Sequence, residues 1–241
     1  MEKIFGKHSV RAVFLQRPRQ VQRLVLAGKE AYHTEFIAAA ERLGLKPEFV
    51  AWPDFLRIGE FTEDDKHQGI CAFVKPRRIY GDRDLDLLAE VDCLLLLDQV
   101  SNPQNFATML RTAAFFQIPA VAVLRNRSVD ISPTVVRYAV GGAEFVKIFR
   151  VTNLSQTLTA LKTLGFWAYG LDGEAPATLA QTTFAEKSIF VIGAEGEGLR
   201  PKTRKYCDAL VRIPGGQPGL DSLNAGVAAA VAMAEFRRLR S

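Results

Sequence analysis

Short apolar runs alternate with helix-length segments through the second half of the chain, and this alternation limits the folds available to it. The run CLLLLDQV, residues 93–100, is continuously apolar over its first five positions, which is typical of a parallel strand buried on both faces. Further apolar runs follow at residues 120–124, 166–171, 188–193 and 209–213. Strands that alternate with helices predict a parallel sheet, with ligands bound beyond the carboxyl ends of its strands.

The first part of the chain repeats this alternation on a smaller scale. Strands are predicted at residues 21–26, 48–51 and 70–74, with a helix at 31–43, which indicates a small α/β unit. The highly charged segment KPRRIYGDRDLDLL, residues 75–88, contains a proline and a glycine and favours a linker or a bridging helix. We therefore expect one domain at 1–76, a linker at 77–92 and a second domain at 93–241.

The lengths of the apolar stretches and the spacing of cysteines and histidines exclude several classes of protein. No apolar stretch approaches the about 20 residues needed to cross a bilayer, and the start MEKIFGKHSV lacks the apolar core of a secretory signal, so we expect a cytoplasmic protein without a membrane partner. The three cysteines have no C-x-x-C spacing, and the three histidines are far apart, which predicts buried thiols and no metal site. These residues are Cys71, Cys93, Cys207, His8, His33 and His67.

Basic residues are concentrated at the start of the chain. The first 29 residues carry seven lysines and arginines and one glutamate, whereas the whole chain has a net charge of +5. Such a cluster attracts a phosphate backbone, so Arg17, Arg19 and Arg23 are candidate contacts to RNA. A solvated surface explains the same charges equally well.

Three polar loops follow predicted strands, where a parallel sheet brings them into one crevice. The turn at 101–105 leads into a helix in which Arg111 stands among apolar residues, three glycines surround Glu195, and the sequence Ser-Leu-Asn at 222–224 enters the last helix. Each also has a purely structural interpretation. The arginine can reach water from the helix edge, the glutamate can cap a helix near Pro201, and the last segment can supply an N-cap.

The glycine-rich loop does not favour an oxidoreductase. Glu195 stands where the dinucleotide-binding fingerprint G-x-G-x-x-G requires its second glycine, and no P-loop lysine follows. A nucleotide-dependent oxidoreductase is therefore disfavoured.

Together these loops resemble the three motifs of the SpoU/TrmH branch of the SPOUT methyltransferases. The motifs are N-P-x-N-x-x-x-x-x-R-T-A at 102–113, I-G-x-E-G-x-G-L at 192–199 and I-P followed by S-L-N-x-x-V-A at 213–228. The segment HQGICAFV at 67–74 resembles the end of the family's N-terminal RNA-binding domain. The resemblance implies a homodimer that transfers a methyl group from S-adenosylmethionine to a ribose 2′-hydroxyl of RNA. It also implies that the C-terminal parallel-sheet domain contains a deep trefoil knot and follows a small α/β RNA-binding domain.

Matching positions carry the family's site onto this chain. The implied catalytic residues are Arg111, Asn105, Glu195, Ser222 and Asn224. The implied contacts to the methyl donor are Leu171, Gly193, Ile213 and Leu223. Because the ordinary pKa of arginine lies far above neutral pH, our hypothesis is that Arg111 mainly holds a phosphate and the 2′-oxygen. A role as base would need a strongly perturbed environment.

The chain departs from the family pattern at Asn102, Ala107 and Val140, none of which is a proposed catalytic side chain. A separate N-terminal domain resembles members that act on ribosomal RNA more than those that act on transfer RNA, and DNA is not expected. The alternative is a non-catalytic RNA-binding or ribosome-assembly factor that keeps the fold. Retention of all five catalytic positions favours the enzyme.

Overall fold

A computed structural model of the chain describes residues 1–62, 65–126, 128–217 and 222–240. Its N-terminal unit is a four-stranded sheet in the order β1-β4-β2-β3, in which β4 runs antiparallel to β1 and β2, and β2 runs parallel to β3. The elements of this unit are β1 (Glu2–Phe5), α1 (Lys7–Gln16), β2 (Val21–Ala27), α2 (Thr34–Glu41), β3 (Glu48–Val50), α3 (Trp52–Gly59) and β4 (Ile70–Val74).

The C-terminal unit is a seven-stranded sheet in the order β7-β6-β5-β10-β8-β11-β9, and every strand pair in it is parallel. Apolar clusters cover both faces of this sheet, which explains why its central strands are continuously apolar. The strands are β5 (Cys93–Leu97), β6 (Ala120–Leu124), β7 (Lys147–Val151), β8 (Trp167–Leu171), β9 (Ala177–Thr178), β10 (Ser188–Ile192) and β11 (Ala209–Arg212). The helices are α4 (Pro103–Phe115), α5 (Pro133–Tyr138), α6 (Leu154–Thr163), α7 (Pro201–Arg204) and α8 (Ala225–Arg238).

The parallel sheet predicted from the apolar runs is confirmed, and the strand ends agree to within two residues. Three strands were not predicted: β1, β7 and β9. The predicted helix at 31–43 is shorter, because a 3₁₀ turn at Glu30–Tyr32 precedes α2. The predicted linker contains a 3₁₀ helix, Asp82–Leu88, that buries Leu85 and Leu88 against the C-terminal unit.

The two units are joined by a cluster of four ionised side chains, which we call the inter-domain ion cluster: Glu2, Arg17, Arg77 and Glu144. The Glu144 carboxylate, with its side chain 2% exposed, accepts hydrogen bonds from Arg17 Nε at 2.7 Å and from Arg77 Nη2 at 3.0 Å. Glu2 accepts bonds from the same two guanidinium groups. Buried charges are tolerated when each is paired and hydrogen-bonded, and this cluster meets that condition.

Close backbone packing accompanies the ion cluster. Gly141 has a φ of +85°, and a Cβ atom there would lie 2.9 Å from the Cβ of Ala12 and 3.1 Å from the carbonyl oxygen of His8. Only glycine satisfies both the backbone angle and the contact with α1. Val140 also has a positive φ, of 48°, which is rare for a β-branched residue and indicates local strain at this contact.

The contact should weaken in acid, because it depends on the ionised Glu2 carboxylate. Burial raises the pKa of Glu2, but hydrogen bonds from the Arg77 backbone N–H and from the Arg77 and Arg17 guanidinium groups outweigh it and hold the pKa below its ordinary 4.5. A lowered carboxyl pKa stabilises the fold at neutral pH, and this stabilisation is lost as the pH falls from the ordinary value through the folded-state value. Over that window, we expect urea denaturation to show a steeper loss of unfolding free energy in the wild type than in Glu2→Gln. Parallel curves would contradict this account.

Candidate active site

A cavity of about 710 Å³ lies beyond the carboxyl ends of β5 and β10, and we call it the carboxyl-end cavity. The two strands are neighbours and pair Leu97 with Ile192, so the loops that follow them start side by side. Residues that line the cavity include Asn102, Asn105, Ala194, Glu195, Glu197 and Ala225. This is the crevice that the sequence predicts.

Three of the predicted catalytic side chains meet in this cavity. Nδ2 of Asn224 donates hydrogen bonds to Oδ1 of Asn105, at 2.9 Å, and to Oε1 of Glu195. Asn105 comes from the first turn of α4 and Glu195 from the loop after β10, so one amide group links two of the predicted loops to the third. We call these three residues the polar cluster.

Helix caps place two of these side chains. Asn102 caps α4 by accepting the backbone N–H groups of Gln104 and Asn105. Asn224 caps α8 through its Oδ1, which leaves its Nδ2 free to serve the polar cluster. The N-cap interpretation of Asn224 is therefore confirmed, and the same residue is also part of the cavity.

The loop that carries Glu195 depends on glycine. A Cβ atom at Gly193 would lie 2.1 Å from the carbonyl carbon of Gly198, and Ala194 and Gly198 exchange two backbone hydrogen bonds. This tight turn directs Glu195 to Asn224 rather than to α7. The N-cap of α7 is Arg200, whose Nε pairs with the buried Asp98 at 2.7 Å.

The cavity has the properties of a ligand site. Nδ2 of Asn105 is buried and has no hydrogen-bond partner among the residues that the structure describes, and such a group is costly unless a ligand or water satisfies it. Glu195 and Glu197 are the charged residues among the described lining, so the cavity favours a ligand with positive charge. Gln99, at the end of β5, has a φ of 60°, a further sign of strain at this edge.

The predicted methyl-donor residues follow the same edge of the sheet. Leu171 ends β8, Gly193 follows β10 and Ile213 follows β11, and these three strands are neighbours. Leu223 and Ser222 are exposed immediately before the N-cap of α8. The structure thus places all five of these residues at or beside the carboxyl ends of the strands or the start of α8.

Arg111 lies apart from the polar cluster. It is six residues from Asn105, about 9 Å along the axis of α4, and it is exposed whereas Asn105 is buried. Arg111 lines a second cavity of about 670 Å³ between the two units, which we call the inter-domain cavity. Its position is fixed by close packing, because a Cβ atom at Gly142 would lie 2.6 Å from the Cα of Arg111.

The predicted RNA contacts have different surroundings. The guanidinium of Arg17 belongs to the inter-domain ion cluster, and that of Arg23 forms two hydrogen bonds with Glu48, at 2.6 and 2.7 Å. Arg19 is exposed and forms no ion pair within the part of the chain that the structure describes. Of the three arginines, only Arg19 is thus available without breaking an ion pair.

Sequence reasoning missed the residues that face Arg111 across the inter-domain cavity. These are His8, Lys66 and Gln68 of the N-terminal unit. The segment HQGICAFV, which contains Gln68, predicted the end of a domain but not a contact with Arg111. No local pattern marks these residues, because the docking of two separate units brings them to Arg111.

The remaining chemistry-bearing residues have structural surroundings. Cys71 and Cys93 are buried as predicted, Cys207 is half-buried, and burial raises the pKa of Cys71 to about 12. His33 is buried with its Nε2 2.9 Å from the carbonyl oxygen of Ala27. Within the described ranges, no three His, Cys, Asp or Glu side chains group as metal ligands, and no helix is both long and apolar enough to span a membrane.

A parallel sheet with a polar cavity at its strand ends, joined to a smaller α/β unit, defines an α/β ligand-binding protein with an accessory unit. Residues 92–234 match the SpoU rRNA methylase family, and residues 3–80 match the substrate-binding domain of RNA 2′-O ribose methyltransferases. The chain therefore belongs to the SpoU rRNA methylase family.

Two relatives are similar over the whole chain. They are proteins of Photorhabdus laumondii and Escherichia coli K12, and both are named 23S rRNA (guanosine-2′-O-)-methyltransferase RlmB. The first is 40% identical to this chain and the second 38%, and each alignment covers all of this chain and 99% of the relative.

Solved structures show the same fold. The SpoU methyltransferase AviRb of Streptomyces viridochromogenes, solved with AdoMet, has a TM-score of 0.78 at 24% identity and covers 99% of this chain and 89% of its own. An AdoMet-bound rRNA methyltransferase of Sinorhizobium meliloti has a TM-score of 0.79 at 20% identity, covering 98% and 87%.

Proposed function

We propose that this protein transfers a methyl group from S-adenosylmethionine to the ribose 2′-hydroxyl of a guanosine in 23S rRNA. The observation that carries the proposal is the polar cluster, which gathers Asn105, Glu195 and Asn224 around a cavity with one unsatisfied buried amide. Relatives of 36 to 40% identity that span the whole chain are named for this reaction, which supports 23S rRNA over transfer RNA.

The carboxyl-end cavity fits the methyl donor. S-adenosylmethionine supplies an electrophilic methyl group on a positively charged sulfur. The carboxylates of Glu195 and Glu197 complement that charge, and the free Nδ2 of Asn105 offers a hydrogen bond. Leu171, Gly193 and Ile213 would form the side of the pocket beyond β8, β10 and β11.

The RNA hydroxyl needs positioning as well as a methyl donor. A ribose 2′-hydroxyl is a poor nucleophile near neutral pH, so it must be held in line with the methyl carbon while its proton leaves. The planar guanidinium of Arg111 can bind a phosphate oxygen and the 2′-oxygen together, and Arg111 is exposed at the inter-domain cavity.

Calorimetric titration with S-adenosylmethionine and S-adenosylhomocysteine tests the donor pocket. We expect both to bind in the range of about 1 μM to 1 mM that is usual for enzyme substrates. If neither compound binds, the alternative of a non-catalytic RNA-binding factor is favoured.

The domain assignment follows from the same proposal. We propose that residues 1–76 form the RNA-binding domain, 77–92 the connection and 93–241 the catalytic domain, with the knot expected from the family inside the latter. The match of residues 3–80 to a substrate-binding family supports the first assignment. A ribosomal RNA substrate also supports a cytoplasmic location.

We further propose that the protein acts as a homodimer through the exposed faces of α4 and α8. Phe115 is 79% exposed at the end of α4, and Val227 and Val231 are exposed one turn apart on the adjacent α8. An apolar surface of this kind marks an interface. Arg111 lies one turn from Phe115, so a two-fold contact here can bring Arg111 of one copy toward the polar cluster of the other.

Complementation tests this arrangement. Arg111→Ala and Asn224→Ala should each be inactive alone, because each removes a proposed catalytic side chain. When the two variants are refolded together in equal amounts, half of the dimers contain one copy of each variant. Each mixed dimer has one intact site out of two, so we expect about a quarter of wild-type activity. Dimers that form without recovering activity would place Arg111 in its own chain's site, and a monomeric mass would contradict the dimer.

A further inference from the structure

The inter-domain cavity is basic on both walls. His8 and Lys66 of the N-terminal unit face Arg111 and Arg137 of the C-terminal unit, and none of the described residues that line the cavity is acidic. Asp65 lies beside the cavity and pairs with Arg137 at 2.9 Å. Lys66 and Arg111 form no ion pair with any residue that the structure describes. A surface of this charge attracts the phosphates of a nucleic acid.

A continuous surface connects this cavity to two exposed aromatic rings of the N-terminal unit. The backbone N–H of Lys7 donates to Oε1 of Gln68 at 2.9 Å, and Nζ of Lys7 lies 6.0 Å from the ring centre of Tyr32. On the other side of Gln68, a Cβ atom at Gly69 would lie 3.2 Å from the ring of Trp52. These contacts link a set of neighbouring residues beside the cavity, which we call the cleft track: Lys66, Gln68, Lys7, Tyr32 and Trp52.

Both rings are exposed to solvent, although Trp52 also contacts the rings of Phe55 and His67. Tyr32 is 62% exposed and Trp52 is 47% exposed. Exposed aromatic rings beside lysines are the arrangement that binds unpaired nucleotides, because bases stack on the rings while lysines contact the phosphates. By contrast, two of the arginines that the sequence predicts as RNA contacts, Arg17 and Arg23, already form ion pairs with carboxylates.

We propose that the cleft track binds unpaired nucleotides of the RNA next to the target ribose, with bases stacked on Tyr32 and Trp52 and phosphates on Lys7 and Lys66. This inference rests on the proposed function, since it names where that RNA lies. The inter-domain ion cluster and the Gly141 contact hold the two units together, so the spacing between the two rings and Arg111 is fixed.

The test is fluorescence anisotropy with a labelled, unstructured RNA oligonucleotide and the full chain. Tyr32→Ala and Trp52→Ala should each weaken binding about tenfold, which is within the range for loss of one base–aromatic stack. Trp167→Ala is the matched control, because Trp167 is 48% exposed but lies at the opposite, amino-terminal end of β8, and it should leave the affinity unchanged. Trp52→Phe keeps an aromatic ring and should retain most of the affinity, which separates stacking from a loss of folding.

Salt dependence tests the lysines separately. Lys66→Ala should reduce the slope of log affinity against log salt concentration by about 0.7, the value for one phosphate contact to a single strand. Arg19→Ala tests the alternative contact. The matched control is Lys46→Ala, because Lys46 is exposed in the same unit, forms no ion pair with a described residue and is not among the described lining of either cavity, so this variant should leave the slope as it is.

The outcomes distinguish this inference from the proposed function. Wild-type protein that does not bind RNA at all would overturn both. Wild-type protein that binds RNA while the Tyr32, Trp52 and Lys66 variants bind equally well would overturn the cleft track alone. An effect of Arg19→Ala in place of those variants would assign the RNA contact to Arg19 and overturn the cleft track.

Discussion

Replacing Arg111 by lysine is expected to slow methyl transfer about 10²- to 10⁴-fold, the range for loss of one positioned catalytic group. Lysine keeps the positive charge but loses the planar fork that binds a phosphate and the 2′-oxygen together. Affinity for S-adenosylmethionine should stay the same, because Arg111 does not line the carboxyl-end cavity among the described residues. Single-turnover rates and calorimetry measure the two effects separately.

Arg83→Lys is the matched control for this substitution, since Arg83 is exposed on the 3₁₀ helix Asp82–Leu88, outside both cavities as described. It should leave the rate unchanged. An Arg111→Lys protein with the wild-type rate and the wild-type pH–rate profile would remove Arg111 from the reaction.

Removal of the Glu144 side chain is expected to lower the free energy of unfolding by about 3–5 kcal/mol, the usual cost of breaking a buried ion pair by deleting one partner. Glu144 accepts hydrogen bonds from both Arg17 and Arg77, so Glu144→Ala leaves two guanidinium groups poorly compensated between the units. Urea denaturation followed by circular dichroism measures the loss.

Asp54→Ala provides the control, because it breaks an ion pair with Arg57 that is exposed to solvent on α3. Exposed pairs contribute about 0–1 kcal/mol, so the control should stay close to wild type. Equal losses in the two variants would show that the inter-domain ion cluster does not stabilise the contact between the units.

The strands that the sequence did not predict share a physical cause. β1, β7 and β9 all lie at the edges of their sheets, where strands are short or carry charged side chains. β7 begins with Lys147 and contains Arg150, which interrupts the apolar signal, whereas the central strand β5 is buried at every position and was evident from its composition. The continuous-run criterion therefore finds the central strands and misses three of the four edge strands, whereas the edge strand β3 was predicted at 48–51.

Much of the candidate site was predictable for a related reason. Parallel strands place their following loops together, so the meeting of the three loops followed from local patterns, whereas the choice of Asn105, Glu195 and Asn224 within them came from the family resemblance. The inter-domain contacts did not, because Arg77 binds Glu2, 75 positions away, and Glu144, 67 positions away, through the packing of two units. No local spacing encodes such a meeting. For the same reason, the sequence predicted Arg17 as an RNA contact, although its charge is used between the units.

Mapping of 2′-O-methylation decides whether this chain methylates a ribose of 23S rRNA. Ribosomal RNA from cells that lack the protein is incubated with S-adenosylmethionine and either wild-type protein or Arg111→Lys, and every ribose is then mapped. We predict that a single guanosine of 23S rRNA becomes methylated with the wild type and stays almost unmodified with the variant. If no ribose becomes methylated by a preparation that binds S-adenosylmethionine in calorimetry, the result contradicts the proposed activity.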